Sequence, residues 1–393
     1  MILKLLPILG ITFIDILGFS ILIPLMPFYA QKFGAAPVVI GMLFSTFALC
    51  QLVAGPIWGN VSDRIGRKAV LIISQIGATI GWTMLAFAPV LWIAFLARII
   101  EGLSGGNISV TQAYVADLVE PEKRARAFAY IGAAFSAGLI FGPSAGGWLA
   151  HHYGFAVPFL LAAGLQVITL VVTIFALPES RKKGEVDENA TFADIIGSLR
   201  QPAVAPVLWQ KLIYSLGLYG WFAAFTLVLQ KQLGFTEETA SYFFAGFGVA
   251  SIIMQLGVVG RLTDAFGDRR TNNIGLALML LSFAIVPFLH DIPSAMLMLV
   301  LFSMGLSINN ATIAALIADS APENQRGTIL GVGSSLESAS GVVMPPISTA
   351  ALGAYGVPAT AAISAVFTLV ALALGLIQSK RHTASLERAK QSA

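Results

Sequence analysis

Twelve times along this chain the sequence stays apolar for about the length that crosses a bilayer, roughly 20 residues. The runs lie near 5–29, 38–58, 69–88, 91–116, 127–150, 155–177, 206–230, 239–259, 272–289, 294–318, 327–351 and 357–378. No water-facing globule has a core that takes up so many. Hydrophobic residues make up 57% of the chain and charged ones only 11%, against about 25% charged in a soluble domain. Most of the surface must therefore face lipid. In lipid only helices and closed barrels satisfy the backbone N–H and C=O groups. Barrel strands alternate in segments of roughly 10 residues, and these runs are longer and continuously apolar. The expected fold is all-α and integral to the membrane, with twelve transmembrane helices.

The first run is too long for the apolar part of a secretory signal, and no small-residue cleavage site follows it, so it is read as a retained span. Cys50 is the only cysteine, which excludes an intrachain disulfide and a cysteine-cluster metal site. His151, His152, His290 and His382 fall in loops or the tail. No bound metal or cofactor is expected, and no nucleic-acid partner. A nucleotide-binding loop of the form G-x-x-x-x-G-K-[ST] is missing, which argues against drive by ATP.

Basic residues set the orientation. With the amino terminus in the cytoplasm, the inner segments hold 19 of the 23 lysines and arginines, among them Arg64, Arg67 and Lys68. The outer loops hold only Lys32 and Lys231. Arg98 falls inside a span, and Lys211 lies at the start of one, from which it can snorkel. This asymmetry follows the positive-inside rule and puts both termini in the cytoplasm.

The spans divide six and six. The longest polar stretch, residues 178–202, reads "PESRKKGEVDENATFADIIGSLRQP". The expected organisation is a six-helix bundle over 1–177, a linker over 178–205, a second bundle over 206–378 and a tail over 379–393. Within the linker, Phe192, Ile195, Ile196 and Leu199 share one helical face. A short helix on the inner membrane surface and a flexible charged connection both fit. The halves also repeat. "GNVSDRIGRK" follows span 2 and "GRLTDAFGDRR" follows span 8, with Gly59, Asp63 and Gly66 matching Gly260, Asp264 and Gly267 at one constant offset. Repeats of this kind belong to secondary transporters, which place a binding site between their halves near the midplane.

The "GNVSDRIGRK" loop is short, basic and punctuated by glycine. Gly66 can take a left-handed turn, and Asp63 can accept from the N–H groups that open span 3. A tight inner loop with topology-setting charges would look similar, but its echo in the second half argues for more. The pattern G-x-x-x-D-R-x-G-R-K resembles the loop motif of the major facilitator superfamily. With twelve spans, a central linker and the echo, the resemblance covers the whole chain. It implies two pseudo-symmetric six-helix bundles and a conformational latch built from Gly59, Asp63, Arg64, Gly66, Arg67 and Lys68. The echo carries Asp268 where the first half has Arg67.

Span 5 holds Ala134, Gly138, Gly142, Gly146 and Ala150 at every fourth position, with Pro143 beside them. That stripe lets a second helix approach closely, and a generic packing face explains the periodicity. The run Gly138, Gly142, Pro143, Gly146 and Gly147 also resembles the antiporter motif of drug/proton antiporters. A further glycine of that family pattern is Ala129 here. Span 1, "DILGFSILIPLMP", resembles the first helix of the same group, the tetracycline/proton antiporters in particular. Gln51 in span 2, and Arg98 with Gly102 in span 4, extend the likeness. An acid that those proteins carry in helix 3 falls at Gly81 here.

Four charged groups lie deep in spans: Asp15, Arg98, Glu101 and Glu337. Asp15 is about ten residues into its helix, so roughly 15 Å deep. A charge at mid-bilayer costs about 2.5–3.5 kcal/mol or more, and such residues pair or serve function. Arg98 and Glu101, three apart, share a face. They form a structural pair, or Arg98 also tunes a nearby acid or holds substrate. Glu337 stands in line with Gly333, Gly341 and Pro345 and is read as an unpaired interior carboxyl. Asp15 either couples protons or hydrogen-bonds to neighbouring groups. A carboxyl out of water leans to its neutral form, so one acid can hold a proton in one state and a cation in another. Candidates for an amphipathic cavity are Gln51, Asn107, Gln112, Tyr214, Tyr219, Trp221, Phe222, Asn309 and Asn310. The two adjacent amides point to different faces, one to pack and one to line the cavity.

The expected activity is proton-coupled antiport, not enzymatic catalysis. Protons would enter as a small lipophilic compound, cationic or zwitterionic, leaves by alternating access. Multidrug or tetracycline-like efflux is the class implied, by a monomer in contact with lipid in a prokaryotic inner membrane. A proton-coupled symporter or uniporter of a metabolite, a lipid flippase, and a transporter-like receptor or scaffold are the alternatives.

Overall fold

In the computed structural model the described residues are 2–105, 110–111, 114–115, 118–119, 121–180, 197–322 and 325–391. They form helices without any strand. The first six are α1 (Ile2–Gln31), α2 (Pro37–Ile65), α3 (Arg67–Phe87), α4 (Leu91–Ser104), α5 (Pro121–Tyr153) and α6 (Ala156–Ala176). The second six are α7 (Ala205–Leu233), α8 (Glu237–Phe266), α9 (Asp268–Ile285), α10 (Ile292–Ser320), α11 (Arg326–Tyr355) and α12 (Val357–Gln391). A single π-helical turn, Gln255–Val259, interrupts α8.

Among the described residues, 9 helices are long and apolar enough to cross a membrane. The other three are α4, which ends at Ser104 after 14 residues, and α5 and α11, which are built largely of small residues. Large apolar side chains also point outward, among them Phe175 at 83% exposure and Phe288 at 68%. Contiguous apolar surface of that kind marks a partner. On helices of this length the partner is lipid.

Two compact units emerge from the contacts. The first comprises Met1–Asn189 with Gly234–Gly248, and the second comprises Ala190–Leu233 with Val249–Ala393. Their internal packing repeats with a shift of six helices. In the first unit α1 lies on α5 and α6, α3 on α4 and α6, and α2 on α4. In the second, α7 lies on α11 and α12, α9 on α10 and α12, and the π turn of α8 on α10. The two loop glycines obey the same repeat. Gly66 has φ +101° and Gly267 has φ +76°, and both end one helix and open the next. Only glycine takes that conformation without strain.

The glycine stripe of α5 is where α1 comes closest. A Cβ on Gly138 would stand 2.9 Å from the Phe13 carbonyl oxygen, and one on Gly142 would stand 2.5 Å from the Leu17 carbonyl oxygen. Ser20 Oγ donates to the Gly138 carbonyl at 2.8 Å, binding the two helices where they touch. Gly146 fits against Ile21. Gly147 faces another way and meets Ser241 of α8, within the first unit. The stripe therefore fixes α1, the helix that carries Asp15.

Replacing Gly142 by alanine adds helix propensity of about 1 kcal/mol, but the new Cβ meets a backbone oxygen that no rotamer change moves. Gly142→Ala is expected to lower stability by about 1–3 kcal/mol, as overpacking does. Gly164→Ala, where a Cβ meets nothing within 4 Å, should be neutral or slightly stabilising. Thermal denaturation of the two purified variants in one detergent compares them. Equal melting points would remove close packing as the reason for the stripe.

Candidate transport site

The acid on α1 is held from α6. Gln166 Nε2 donates to Asp15 Oδ1 at 2.7 Å. Gln166 is buried, and its Oε1 accepts from Thr169 Oγ1 at 3.1 Å, one turn along the same helix. The amide is thus oriented with its donor toward the carboxyl. One turn beyond Asp15, Gly18 packs on the Trp82 indole, so α1 also sits close to α3.

On α4 Arg98 and Glu101 form the ion pair that their spacing predicts, Nη1 to Oε2. Both are almost wholly enclosed, at 2% and 6% exposure. The guanidinium lies over the Phe47 ring, 4.1 Å from its centre, a cation–π contact strengthened by the absence of water. Arg98 Nε and Glu101 Oε1 have no hydrogen-bond partner among the described residues. The pair is therefore only half satisfied, an expensive arrangement in a low dielectric. Space for it comes from a glycine on the next helix. A Cβ on Gly81 would stand 2.3 Å from Glu101 Cγ. The room that a side chain at position 81 would take is thus filled by a carboxylate reaching over from α4.

The second unit has its own pair, and it corrects two expectations. Glu337 is not unpaired. Its Oε1 accepts from Lys211 Nζ. Lys211 does not snorkel to the inner surface; its side chain is 10% exposed and turned toward α11. The phenols of Tyr214 and Tyr219 lie within electrostatic reach of the same carboxyl. Tyr214 Oη is buried and has no hydrogen-bond partner among the described residues.

Other residues singled out in the sequence divide between packing and surface. Trp221 is fully enclosed by Phe225, Phe283 and Phe302, so it is a core residue of the second unit and lines no free wall. Phe222 stacks edge-on against Phe302. Asn309 packs: its Oδ1 accepts from Asn272 at 3.0 Å and its Nδ2 donates to the Gly305 carbonyl at 2.8 Å. Asn310, its neighbour, is exposed. Gln51 reaches the Gly105 carbonyl at 3.5 Å. Asn107 and Gln112, and the linker positions Phe192, Ile195 and Ile196, lie outside the described residues.

The α2–α3 loop is clasped from the far end of the first unit. Arg67 N–H donates to Glu179 Oε1 at 2.9 Å and Lys68 N–H to Oε2 at 3.2 Å. Glu179 is thus the carboxylate seated on the amide groups that open α3, the place expected for Asp63. Arg67 is buried and bonds to Ser62 Oγ, while Lys68 Nζ donates to the Ile174 carbonyl at 2.7 Å. Arg64 is exposed. Gly66 leaves the room that Glu179 uses, since a Cβ there would stand 2.3 Å from Oε2.

Removing one member of a buried ion pair costs about 3–5 kcal/mol, whereas replacing both by apolar residues is often neutral. Glu101→Ala is therefore expected to lower stability by that amount. The double variant Arg98→Met, Glu101→Leu should melt closer to the parent. Denaturation midpoints of the three purified proteins decide; a double variant less stable than Glu101→Ala would show that the charges stabilise the helix themselves.

Known proteins agree with this architecture. The family model described as Major Facilitator Superfamily matches twice, over residues 8–230 and 211–392. The class B tetracycline resistance protein of Escherichia coli is 28% identical over 351 residues, covering 86% of this chain and 85% of its own. Multidrug resistance protein 2 of Bacillus subtilis (strain 168) is 26% identical over 347 residues, 85% of each chain. Among solved structures, the human organic anion transporter MFSD10 (TETRAN) superposes with a TM-score of 0.73 at 20% identity, covering 95% of this chain and 98% of its own. A mutant of the nucleoside transporter NupG gives 0.77 at 14% identity with the same coverage. The chain belongs to the Major Facilitator Superfamily, and it is an integral membrane transporter rather than an enzyme.

Proposed function

We propose that this transporter is a proton-coupled antiporter that exports small lipophilic compounds, cationic or zwitterionic, by alternating access. The observation that carries the reading is the set of three carboxyls borne on helices, Asp15, Glu101 and Glu337, each engaged by a side chain. Acids at that depth are costly and mark ion pathways. Relatives whose names are tetracycline and multidrug resistance protein favour export of drug-like compounds.

Asp15 suits the proton role. A neutral amide, that of Gln166, donates to its carboxyl. Gln166 then orients the carboxyl without fixing its charge. Arg98 and Glu101 support α4 next to the route. Glu337 takes the positive group of the substrate. The two six-helix bundles rock to alternate access, with the α2–α3 loop as latch and both termini cytoplasmic. The protein acts as a monomer in a prokaryotic inner membrane. Proton and substrate each stabilise the state the other leaves, which is the thermodynamic content of exchange.

Everted vesicles energised to an acid interior provide the test. Addition of a transported dye or drug should release protons from the lumen and raise its pH. Asp15→Asn is expected to reduce that exchange on the order of tenfold or more, the loss of an obligatory intramembrane carboxyl. Unchanged proton exchange in Asp15→Asn would remove the acid from the coupling path. Proton-driven movement of substrate in the same direction as the proton would replace antiport by symport.

A further inference from the structure

The Lys211–Glu337 pair links α7 to α11 across 126 residues of sequence. Its two members are not equally enclosed. The lysine side chain is 10% exposed and the glutamate side chain 29%. The acid is therefore the reachable member, and the ammonium lies behind it. Lys211 carries three N–H donors, and Glu337 is the only hydrogen-bond partner of its Nζ among the described residues. Tyr214 stands three residues along α7, on the face of Lys211. Its hydroxyl is buried in the field of Glu337, with no hydrogen-bond partner among the described residues. Unused donors thus gather around a buried cation, and a buried donor with nothing to bind costs about 1–3 kcal/mol.

We propose that Lys211, Glu337 and Tyr214 form a charge-exchange site selective for amphoteric ligands, compounds that carry an anionic and a cationic group together. The inference rests on the export reading above and names its substrate class more narrowly. A ligand cation approaching Glu337 must displace Lys211. If the ligand is a simple monocation, the ammonium is left buried beside it without a counter-charge, and a buried charge stripped of its partner is strongly disfavoured. An amphoteric ligand avoids that loss. Its cationic group takes Glu337 while its carboxylate or enolate takes Lys211 and the Tyr214 hydroxyl. Each protein charge changes partner and none is left alone. The net charge of the site is the same before and after. A purely structural ion pair would have no use for the idle donors around it.

Three dyes on one scaffold test this on the purified full-length protein: rhodamine B (zwitterion), its ethyl ester (permanent monocation) and fluorescein (anion). Binding is read by fluorescence anisotropy at neutral pH. Rhodamine B should bind the parent more tightly than the ester does. Lys211→Gln should weaken rhodamine B about tenfold or more, the usual effect of removing one member of a desolvated charge pair, and tighten the ester, because Glu337 is released. Glu337→Gln should weaken the ester further and tighten fluorescein, because Lys211 is released. If Lys211→Gln fails to yield monodisperse protein, the neutral double variant Lys211→Gln, Glu337→Gln replaces it and should bind zwitterion and ester alike. The proposal is overturned if the parent binds the ester as tightly as rhodamine B, if rhodamine B does not bind, or if Lys211→Gln weakens all three dyes by one factor. Binding needs no proton gradient, so this outcome is independent of the vesicle assay. Proton exchange with an unchanged charge preference would reject the site and leave the antiport reading standing.

Discussion

A charge in hydrocarbon must bring its own solvation, and this requirement organises both halves of the transporter. Asp15 is solvated by an amide, Glu101 by a guanidinium one turn away, and Glu337 by an ammonium from another helix. Each solution ties together particular elements: α1 to α6, α4 to itself over Phe47 of α2, and α7 to α11. The same acids that would bind protons or substrate are therefore among the joints that hold the helices together. Whatever changes the charge on one of them also changes a contact in the fold.

The glycines act in concert with these joints. Between α1 and α5 they bring two backbones close enough for Ser20 to bond across to Gly138. In a bilayer, where lipid tails are as apolar as leucine, such proximity supplies the association that burial supplies in water. The antiporter-like run in α5 is thus a packing face and also the bed on which the Asp15 helix rests.

Much of the architecture was legible because membrane folds write it at the level of single helices. Span length and the repeated G-x-x-x-D-x-x-G loop needed only local sequence, and so did the i, i+3 pairing of Arg98 with Glu101. What escaped depends on how helices are rotated toward one another. The partner of Glu337 lies 126 positions away and that of Asp15 lies 151 away. No periodicity links either pair. Lys211 near a helix start reads as a snorkelling residue until the facing acid is known. Glu179 sits in a charged linker and gives no sign that it will seat on the start of α3. Trp221 suited an aromatic cavity by composition alone, and its three phenylalanine neighbours come from α7, α9 and α10.

The space above Gly81 has a consequence for how this family can vary. One pocket of volume between α3 and α4 holds one carboxyl, and here α4 supplies it. An acid at position 81 and a glutamate at 101 would compete for the same room, so the two helices are steric alternatives for delivering a single group. A sequence can pass its acid from one helix to the other, provided the donor position shrinks as the other grows. Homologous transporters can then disagree about which helix is acidic while agreeing about where the acid is. In such chains the address of a functional group is a point in space, and a column of aligned residues need not find it.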